Sequence, residues 1–255
     1  MTSLPLSAVI ITRNAAATLE RTLSALASFD DVVVYDNGSS DETVTIAGSF
    51  ANVRLFEGEF LGFGPTKRHA VSLARHEWIL SLDADEVPTP ALLDTLRTWN
   101  YATDHDVAGS ILRHNLMLGK EVRHSGWGND WLIRLFNKRF SNFNDAMVHE
   151  SVQPGKHTRV ERLVGGITHY AVTDLSQFLE KVNRYSTIRA QNSRRFLSPW
   201  LILLKTGFAF FRTYFLRLGL LDGWRGVVIA FSNASGVFWK HMKAYALRHQ
   251  HPDGH

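Results

Sequence analysis

Two aspartates one residue apart, Asp83 and Asp85, are the side chains of this sequence with the clearest chemical potential. They follow an apolar run, Trp78–Leu82, that is typical of a buried strand. Two carboxylates on one loop can share a hard divalent cation, Mg²⁺ or Mn²⁺, which takes oxygen ligands and leaves positions for diphosphate and water. A solvated acidic turn is the alternative interpretation, because the Asp-x-Asp pattern is common.

A second polar cluster, residues 36–41, follows another apolar run, Val32–Tyr35. Its sequence, Asp-Asn-Gly-Ser-Ser-Asp, predicts a tight turn in which Ser40 or Asp41 caps the next helix. Asp36 could also accept hydrogen bonds from a base or a ribose. The structural and the functional interpretation both stay open at this point.

Two cations stand at the predicted start of a third helix, in the segment from Gly62 to Arg68. Helix N-termini and Lys or Arg side chains suit phosphate oxygens, although the spacing is not that of a P-loop and a capped turn is the alternative. Glu150, preceded by His149, could serve as a general base, and His169 could be a third metal ligand. Each of these residues alone is more often structural.

The elements that must position these residues alternate between short apolar runs and helical patterns. Continuous apolar strands separated by helices predict an α/β fold with a parallel sheet and helices on both faces. Ligands bind at the carboxyl ends of such strands, where both acidic clusters lie. We predict strands at Ala8–Thr12, Val32–Tyr35, Val53–Phe56 and Trp78–Leu82, and helices at Thr18–Phe29, up to Phe50, Thr66–Arg75 and Ala91–Trp99.

The rest of the chain is predicted less finely. Residues 107–170 are rich in β-formers, glycine and aromatics, which indicates mixed strands and loops that complete the site. Asp174, with Gln177 three residues on, predicts a capped helix that runs to about Phe196. We place a domain boundary after it, which gives a domain of residues 1–198 and a basic amphipathic helical tail of residues 199–255.

The tail holds seven Lys and Arg against two Asp, whereas residues 1–198 hold 21 basic and 22 acidic residues. We predict one helix over Trp200–Leu221, with Lys205, Arg212 and Arg217 on a single polar stripe, and a second over Val227–Leu247. Basic residues beside a broad apolar face favour a helix that lies in a membrane interface. Packing on the protein itself, or at a dimer contact, is the alternative, and nucleic acid is not expected.

The composition sets outer limits. The 255 residues suffice for one large α/β domain with an appendage, and 45% of them are hydrophobic. The sequence contains no cysteine, so disulfides and thiolate metal sites are excluded. The short apolar run near the start, Ala8–Ile11, has no preceding Lys or Arg and does not indicate a secretory signal. These features suit the cytoplasm.

In this order the motifs resemble the inverting family 2 glycosyltransferases with a GT-A fold. More narrowly, the chain is similar to the lipopolysaccharide core glucosyltransferases that act on the inner-core heptose. The likeness covers nearly the whole chain; Asn37 departs from it, because the family often has Ser or Asp there. The matching segments are Ala8–Asn14, Val34–Asp41, Gly62–Arg68, Trp78–Glu86, Arg134–Asn137, Val148–Glu150, Val182–Ser186 and Leu220–Gly226.

The resemblance implies a role for each candidate residue. Glu150 would be the catalytic base, and Mg²⁺ or Mn²⁺ would bind at Asp83, Asp85 and His169. It also implies a nucleotide-sugar donor, UDP-glucose, a lipid-linked saccharide of the lipopolysaccharide or lipooligosaccharide inner core as acceptor, and a peripheral location at the inner face of the plasma membrane. The residues implied to bind the nucleotide sugar are Thr12, Asn14, Asp36, Asp41, Lys67, Arg68 and Asp83.

Other functions share parts of this pattern. A haloacid-dehalogenase-type phosphatase also uses Asp-x-Asp after a buried strand, but its later Gly-Asp-x-x-x-Asp segment is absent from this sequence. A sugar-phosphate nucleotidyltransferase shares the sheet and the metal logic. A membrane adaptor would bind a nucleotide sugar without turnover, and a transferase of the expected family could act on another lipid-linked or cell-surface glycan.

Overall fold

The computed structural model describes residues 4–147, 150–193 and 196–250. The described residues form two compact units. The first contains the chain up to His114 together with Asp130–Tyr170, and the second contains Asn115–Asn129 together with the chain from Ala171 onwards. The predicted division between residues 198 and 199 falls inside the second unit, and as a boundary between functions it stays a prediction.

Strands and helices alternate through the first part of the chain. In chain order the elements are β1 (Leu6–Thr12), α1 (Ala16–Ala25), β2 (Val32–Asp36), α2 (Thr43–Gly48), β3 (Val53–Glu57), α3 (Phe63–Ser72), β4 (Trp78–Asp83), β5 (Glu86–Pro88) and α4 (Pro90–Thr98). Strands dominate the middle, with β6 (Val107–Met117), β7 (Lys120–Glu121), β8 (Trp131–Asn137), β9 (Asn142–Phe143), β10 (Val152–Gln153) and β11 (Arg159–Val172). Both β6 and β11 begin in the first unit and end in the second.

The main strands of the first unit pair in the order β3-β2-β1-β4-β8-β6-β11-β5. The first four strands of the chain are parallel, and Ile10 of β1 lies opposite Val34 on one side and Leu82 on the other. Strand β8 runs antiparallel to β4, and β6 runs antiparallel to β8. The predicted parallel sheet is therefore confirmed for β1 to β4, and later strands extend it into a mixed sheet.

Helices cover both faces of this sheet, as predicted. Alternate side chains of a strand point to opposite faces, so Ala8 and Ile10 belong to one core cluster and Val9 to another. The first cluster includes Leu19 and Leu23 of α1 and Leu92 and Leu96 of α4, and the second includes Ala70 and Val71 of α3. Because β1, β2 and β4 are buried on both faces, their sequences are continuously apolar.

Helix α3 begins three residues before its predicted start, and close backbone packing explains the shift. Gly62 precedes it with φ of 101°, a conformation that favours glycine. A Cβ on Gly64 would collide with the backbone of Asn144 and Ala146, so only glycine fits in this first turn. Pro65 is tolerated there because the first helical N–H groups need no partner within the helix.

The second unit contains α5 (Leu175–Gln191), α6 (Pro199–Phe211), a π-helical segment (Arg212–Leu216), a 3₁₀ turn (Gly219–Asp222) and α7 (Trp224–Gln250). The predicted cap of α5 is confirmed, since the Asp174 carboxylate accepts the Gln177 N–H at 2.8 Å. The helix ends at Gln191, before the predicted Phe196. The predicted helix Val227–Leu247 lies inside α7.

The single helix predicted over Trp200–Leu221 is wrong in its second half. Leu218 has φ of 54°, a left-handed conformation that a helix cannot continue through. Arg217 is therefore the residue that ends the π-helical segment, and it does not continue a stripe set by Lys205 and Arg212. Among the described residues, none of the helices combines the length and the apolar character needed to cross a bilayer.

Candidate active site

The turn after β2 is held in shape by its first residue, Asp36, whose carboxylate lies under the turn. Asp36 is 1% exposed and accepts hydrogen bonds from the backbone N–H groups of Gly38 at 3.0 Å and Ser39 at 2.8 Å, as well as from the Ser39 hydroxyl. Gly38 adopts φ of 81°, which explains a glycine there. Asp36 thus fixes the turn, and its predicted contact with a ribose or base stays a prediction.

The loop after β1 is tied to the same turn through Asn14 and Asp41. The Asn14 amide oxygen accepts the Ser40 N–H at 2.8 Å, and Asp41 accepts the N–H groups of Ala16 and Thr43 at 3.2 and 3.1 Å. Helix α2 begins at Thr43 with Glu42 in the capping position, so the predicted cap at Ser40 or Asp41 is wrong by one or two residues. The two loops form one polar rim at the carboxyl ends of β1 and β2.

Hydrogen bonds to Asp41 favour its charged form. The Thr43 hydroxyl makes the largest contribution, and with the backbone donors it lowers the pKa of Asp41 below its usual value.

Thr12, which lies opposite Asp36 in the sheet register, places a hydroxyl group at the same rim. Its hydroxyl oxygen is buried and has no hydrogen-bond partner within the described part of the chain. A buried hydroxyl of this kind at the rim is available to a ligand.

Lys67 brings three predicted site residues together. Its side chain, 4% exposed, extends from α3, and its ammonium lies 2.7 Å from Asp83 Oδ1 and 2.6 Å from Glu150 Oε1. Asp83 ends β4 and Glu150 lies in the segment before β10, so residues far apart in the sequence meet here. The preceding His149 lies outside the described residues.

Arg134 and Glu86 complete this cluster; Glu86 ends the polar cluster that begins at Asp83, and the sequence assigned a role to neither residue. An Arg134 terminal nitrogen lies 2.8 Å from Asp83 Oδ2 and 2.5 Å from Glu86 Oε1. The Glu86 side chain is 0% exposed, and its other oxygen accepts the Asp83 N–H at 3.0 Å. Arg113 joins Glu86 to Asp130, with distances of 3.0 and 2.8 Å. An arginine inside the apolar strand Trp131–Asn137 was the sequence signal for a buried ion pair.

The surroundings of Asp83 and Arg134 favour the charged form of each side chain. Burial opposes the charge on Asp83, but Arg134 and Lys67 outweigh it and hold the pKa of Asp83 well below its usual range. Burial likewise opposes the charge on Arg134, and its two carboxylate partners reverse the effect, so the pKa of Arg134 lies above its usual range. These opposite charges keep one another in place.

Asp85 and His169, two of the predicted metal ligands, lie side by side. His169 Nε2 is 3.4 Å from Asp85 Oδ2, and the two side chains are 17% and 30% exposed. Strand pairing places them, because β11 runs beside β5 with His169 opposite Glu86, and the Tyr170 N–H donates to the Asp85 carbonyl at 3.0 Å. Among the described residues, none of the acidic, histidine or cysteine side chains form a group of three around one point.

This pair fits a cation that relies on its substrate for further ligands. Ligand bonds of about 2.0–2.2 Å place neighbouring donor atoms roughly 3 Å apart, close to the separation of Asp85 and His169. Mg²⁺ usually takes one or two carboxylates, with phosphate oxygens and water completing its shell. Asp83, the third predicted ligand, has each oxygen bound by a cation. Direct ligation by Asp83 stays a prediction.

Arg68, predicted near a diphosphate, is bound to the protein itself. Its guanidinium donates to the Phe143 carbonyl at 3.1 and 2.7 Å and lies 3.0 Å from Asp145 Oδ1. It therefore anchors the segment around β9 on α3. Its side chain is 44% exposed, and its contact with a diphosphate stays a prediction.

Comparisons with known proteins agree on one chemistry. Residues 7–163 match the model of "Glycosyl transferase family 2". The chain is 25% identical over 256 residues to the lipopolysaccharide core biosynthesis glycosyltransferase LpsC of Rhizobium meliloti (strain 1021), covering 93% of each chain. It is 27% identical over 236 residues to an uncharacterized glycosyltransferase of Rickettsia prowazekii (strain Madrid E), covering 88% of this chain and 80% of that one.

Solved structures give weaker similarity. The crystal structure of S. aureus TarS 1-349 in complex with UDP superposes with a TM-score of 0.45 at 15% identity, covering 96% of this chain and 91% of that one.

Proposed function

Because the chain belongs to glycosyl transferase family 2 and is a glycosyltransferase of GT-A-type α/β fold, we propose that it transfers glucose from UDP-glucose, with inversion, to a saccharide of the lipopolysaccharide inner core. The observation that carries this proposal is the ion network in which Lys67 joins Asp83 to Glu150, with Asp85 and His169 beside it. That a relative acts in lipopolysaccharide core biosynthesis supports the acceptor class.

The donor is proposed to lie along the rim formed by the loops after β1 and β2. Asn14 and Asp41 hold these loops together, and Asp36 shapes the turn that would contact the nucleoside. The unpartnered Thr12 hydroxyl supplies a hydrogen bond to the donor. Because the rim stands at the carboxyl ends of parallel strands, it has the location that nucleotides favour in α/β sheets.

A divalent cation, Mg²⁺ or Mn²⁺, is proposed to bind at Asp85 and His169, with Asp83 adjacent. Lys67, Arg113 and Arg134 contact four carboxylates in the network, and Asp85 is a further carboxylate beside them. A cation bound at Asp85 and His169 would stabilise the charge that gathers on the leaving diphosphate. Lys67 would hold the Asp83 and Glu150 carboxylates in position beside the cation.

Glu150 is proposed to act as the base. An acceptor hydroxyl oxygen forms a bond to the anomeric carbon while the bond to the diphosphate oxygen breaks, and the hydroxyl proton passes to the Glu150 carboxylate. Lys67 binds Oε1 of Glu150, and we assign the proton transfer to Oε2. The Glu150 side chain is 15% exposed, so an acceptor can reach it. A single displacement inverts the anomeric centre.

The exposed apolar surface of the second unit supports a lipid-linked acceptor at the inner face of the plasma membrane. Trp200, Leu204 and Phe208 of α6 are 78%, 69% and 58% exposed, and Phe231 of α7 is 69% exposed. Large exposed apolar patches mark interaction surfaces, and aromatic side chains with Lys and Arg suit a membrane interface. A peripheral enzyme would meet there an acceptor that stays at the bilayer.

A donor panel tests the proposal. The purified full chain is incubated with nucleotide sugars, a lipopolysaccharide inner-core acceptor and Mg²⁺ or Mn²⁺, and release of nucleoside diphosphate is measured. We expect turnover with UDP-glucose, loss of turnover with EDTA, and a rate about 10²–10³-fold lower for Asp85→Asn. The control Asp106→Asn removes an exposed carboxylate of the same unit and should keep the wild-type rate.

Different outcomes contradict different parts of the proposal. Turnover that persists with EDTA would contradict the proposed role of the divalent cation. Turnover that requires another sugar nucleotide would contradict the assignment of UDP-glucose as the donor. Turnover only on an acceptor without the inner core would contradict the assignment of a lipopolysaccharide acceptor. Equal losses in Asp85→Asn and Asp106→Asn would assign the effect to altered overall charge.

A further inference from the structure

A cavity of about 550 Å³ lies within the second unit, lined mainly by α5 and α7. This volume is in the range of about 300–1,000 Å³ that is usual for small-molecule sites. None of the residues that we place in the glycosyl transfer site line it. It is therefore a separate site within the second unit.

Helical spacing explains why this cavity is a continuous surface. Its α5 residues, which include Phe178, Val182 and Tyr185, recur every three or four positions and so share one face. Small side chains on α7, such as Ser232 and Gly236, leave the volume open. A Cβ on Gly236 would meet Val182 at an ordinary 3.7 Å, so glycine is not required there by backbone strain. A larger side chain at position 236 would fill the cavity.

The charge of the lining is one-sided. Five cationic side chains line the cavity, namely Lys181 and Arg189 of α5, Arg212 of the π-helical segment, Arg217 directly after that segment, and Lys240 of α7. No Asp or Glu is among the lining residues, and in the described part of the chain no carboxylate lies within 4.0 Å of any of these five cations. A lining that carries cations and no carboxylate would stabilise a bound anion.

Two further observations point to a ligand. His241, in the same lining, has a buried Nδ1 without a hydrogen-bond partner among the described residues. The cationic pair Arg212 and Arg217 brackets the π-helical segment, and such segments occur frequently at functional sites. Leu218, which follows Arg217, adopts a left-handed φ of 54°, which costs about 1–3 kcal/mol when a residue is not glycine.

We propose that this cavity binds the phosphate group of an amphiphile, with the phosphate among the five cations and an apolar chain against Phe178, Val182 and Tyr185. Lys and Arg bind phosphate oxygens by charge-assisted hydrogen bonds, and aromatic and aliphatic side chains suit an apolar chain. Two sources share this chemistry, the headgroup of a membrane phospholipid and a phosphate on the lipid-linked acceptor. The binding claim does not depend on the proposed donor.

The test is a titration of the full chain with dihexanoylphosphatidic acid below its critical micelle concentration, with inorganic phosphate as a second probe. We expect saturable binding of the amphiphile that is tighter than binding of phosphate. The variant Arg189→Gln/Lys240→Gln should weaken it by about a hundredfold, because each charge-assisted contact is worth about tenfold. Gly236→Leu keeps every cation and should abolish amphiphile binding by filling the volume.

A matched control separates the site from general charge. Lys120→Gln removes a cation of the same unit that is exposed and does not line the cavity, and it should bind the amphiphile as the wild type does. Absence of saturable binding, equal weakening by Lys120→Gln, or unchanged binding in Gly236→Leu would each overturn the proposal. Circular dichroism should be used to check that each variant is folded. Each of the three variants tests the proposal separately from the other two.

Two further measurements identify the source of the phosphate. If phosphatidic acid vesicles bind the wild type more tightly than they bind Arg189→Gln/Lys240→Gln, the ligand is a bilayer headgroup. If vesicle binding is unchanged but the KM for a lipid-linked acceptor rises at constant KM for the donor, the ligand is the acceptor's phosphate. Unchanged values in both measurements would overturn the proposal even where the short-chain probe binds.

Discussion

Lys67 in the first unit and Lys240 in the second both border a candidate site, but their surroundings differ. Lys67 is 3% exposed and lies between two carboxylates, whereas Lys240 is partly exposed and shares its cavity with four other cations. In the cluster around Lys67, the side chains of Asp83, Glu86 and Arg134 are each held by an opposite charge of the protein. In the second unit the lining supplies cations alone.

This difference separates two ways to prepare a binding site. Paired charges are in position before a substrate arrives, so little reorganisation is needed at the moment of reaction. Cations without carboxylate partners repel one another, and their electrostatic interactions become favourable only when an anion is bound. We infer that the first unit is organised for chemistry and that the second unit is organised to retain a ligand.

The largest expected effect tests whether the paired network serves the reaction. Glu150→Gln keeps the shape of the side chain but removes its basicity, so transfer should fall by about 10²–10⁴-fold. Binding of the nucleotide sugar should be retained. Steady-state rates and donor titration measure the two properties, and Glu20→Gln, an exposed change on α1, is the control. A near-normal rate for Glu150→Gln would mean that another group accepts the proton.

The next effect concerns the stability that the pairing provides. Arg134→Met leaves Asp83 and Glu86 without their shared cation, and loss of one partner of a buried pair lowers the free energy of unfolding by about 3–5 kcal/mol. Urea unfolding measures it. The matched control is Arg97→Met, which removes an exposed pair with Asp94 and should change stability by about 0.5 kcal/mol or less. Equal losses in both variants would contradict the contrast between buried and exposed pairs.

The third largest effect tests whether an exposed apolar side chain of the second unit serves binding to a membrane and not stability. Trp200 is 78% exposed, so Trp200→Ser should leave the free energy of unfolding within about 0.5 kcal/mol of the wild type. Binding to anionic vesicles should weaken by about 1.5–3 kcal/mol, because a large apolar side chain no longer enters the interface. Co-sedimentation with vesicles measures this. Val164→Ser, a 73% exposed position of the first unit, should have no effect on vesicle binding.

The smallest expected effect is a pH dependence of the paired network. Since the pKa of Asp83 is lower in the folded protein than its usual value of 3.8, Asp83 stabilises the fold above that value. This contribution is lost as the pH falls below 3.8 and through the depressed pKa of the folded state. The difference in unfolding free energy between the wild type and Asp83→Asn should therefore narrow on acidification. If the difference in unfolding free energy between the wild type and Asp83→Asn does not change with pH, the lowered pKa of Asp83 is contradicted.

Local patterns predicted much of the site. The apolar runs located β1 to β4, and the rule that ligands bind at carboxyl ends of parallel strands located the clusters around Asp36 and Asp83. Lys67 and Glu150 were both named as candidates, and their roles stay predictions; the structure brings them into contact, which was not visible in the sequence. It depends on the folding of the segment around β9 onto α3, which is a long-range event.

The roles of Arg134, Glu86 and Arg113 were missed for a related reason. Their meeting depends on β8 pairing antiparallel with β4 and on β6 pairing with β8, and sequence periodicity does not reveal which strands are neighbours. The length of α6 was misjudged because apolar composition continues past the point where Leu218 turns the backbone. The cationic cavity likewise requires α5 and α7 to pack together, and the basic tail supplies three of its five cations, Arg212, Arg217 and Lys240.

The course of β6 and β11 limits how this enzyme can be taken apart. The chain leaves the first unit, returns to it and leaves it again, so the second unit is assembled from two separate stretches. Met117 and Val122 come from the earlier stretch and pack with Val172 and Ile229 from the later one. A chimaera that exchanges the second unit between relatives must therefore transplant both stretches together, because a single crossover would join halves of two hydrophobic cores that did not evolve together.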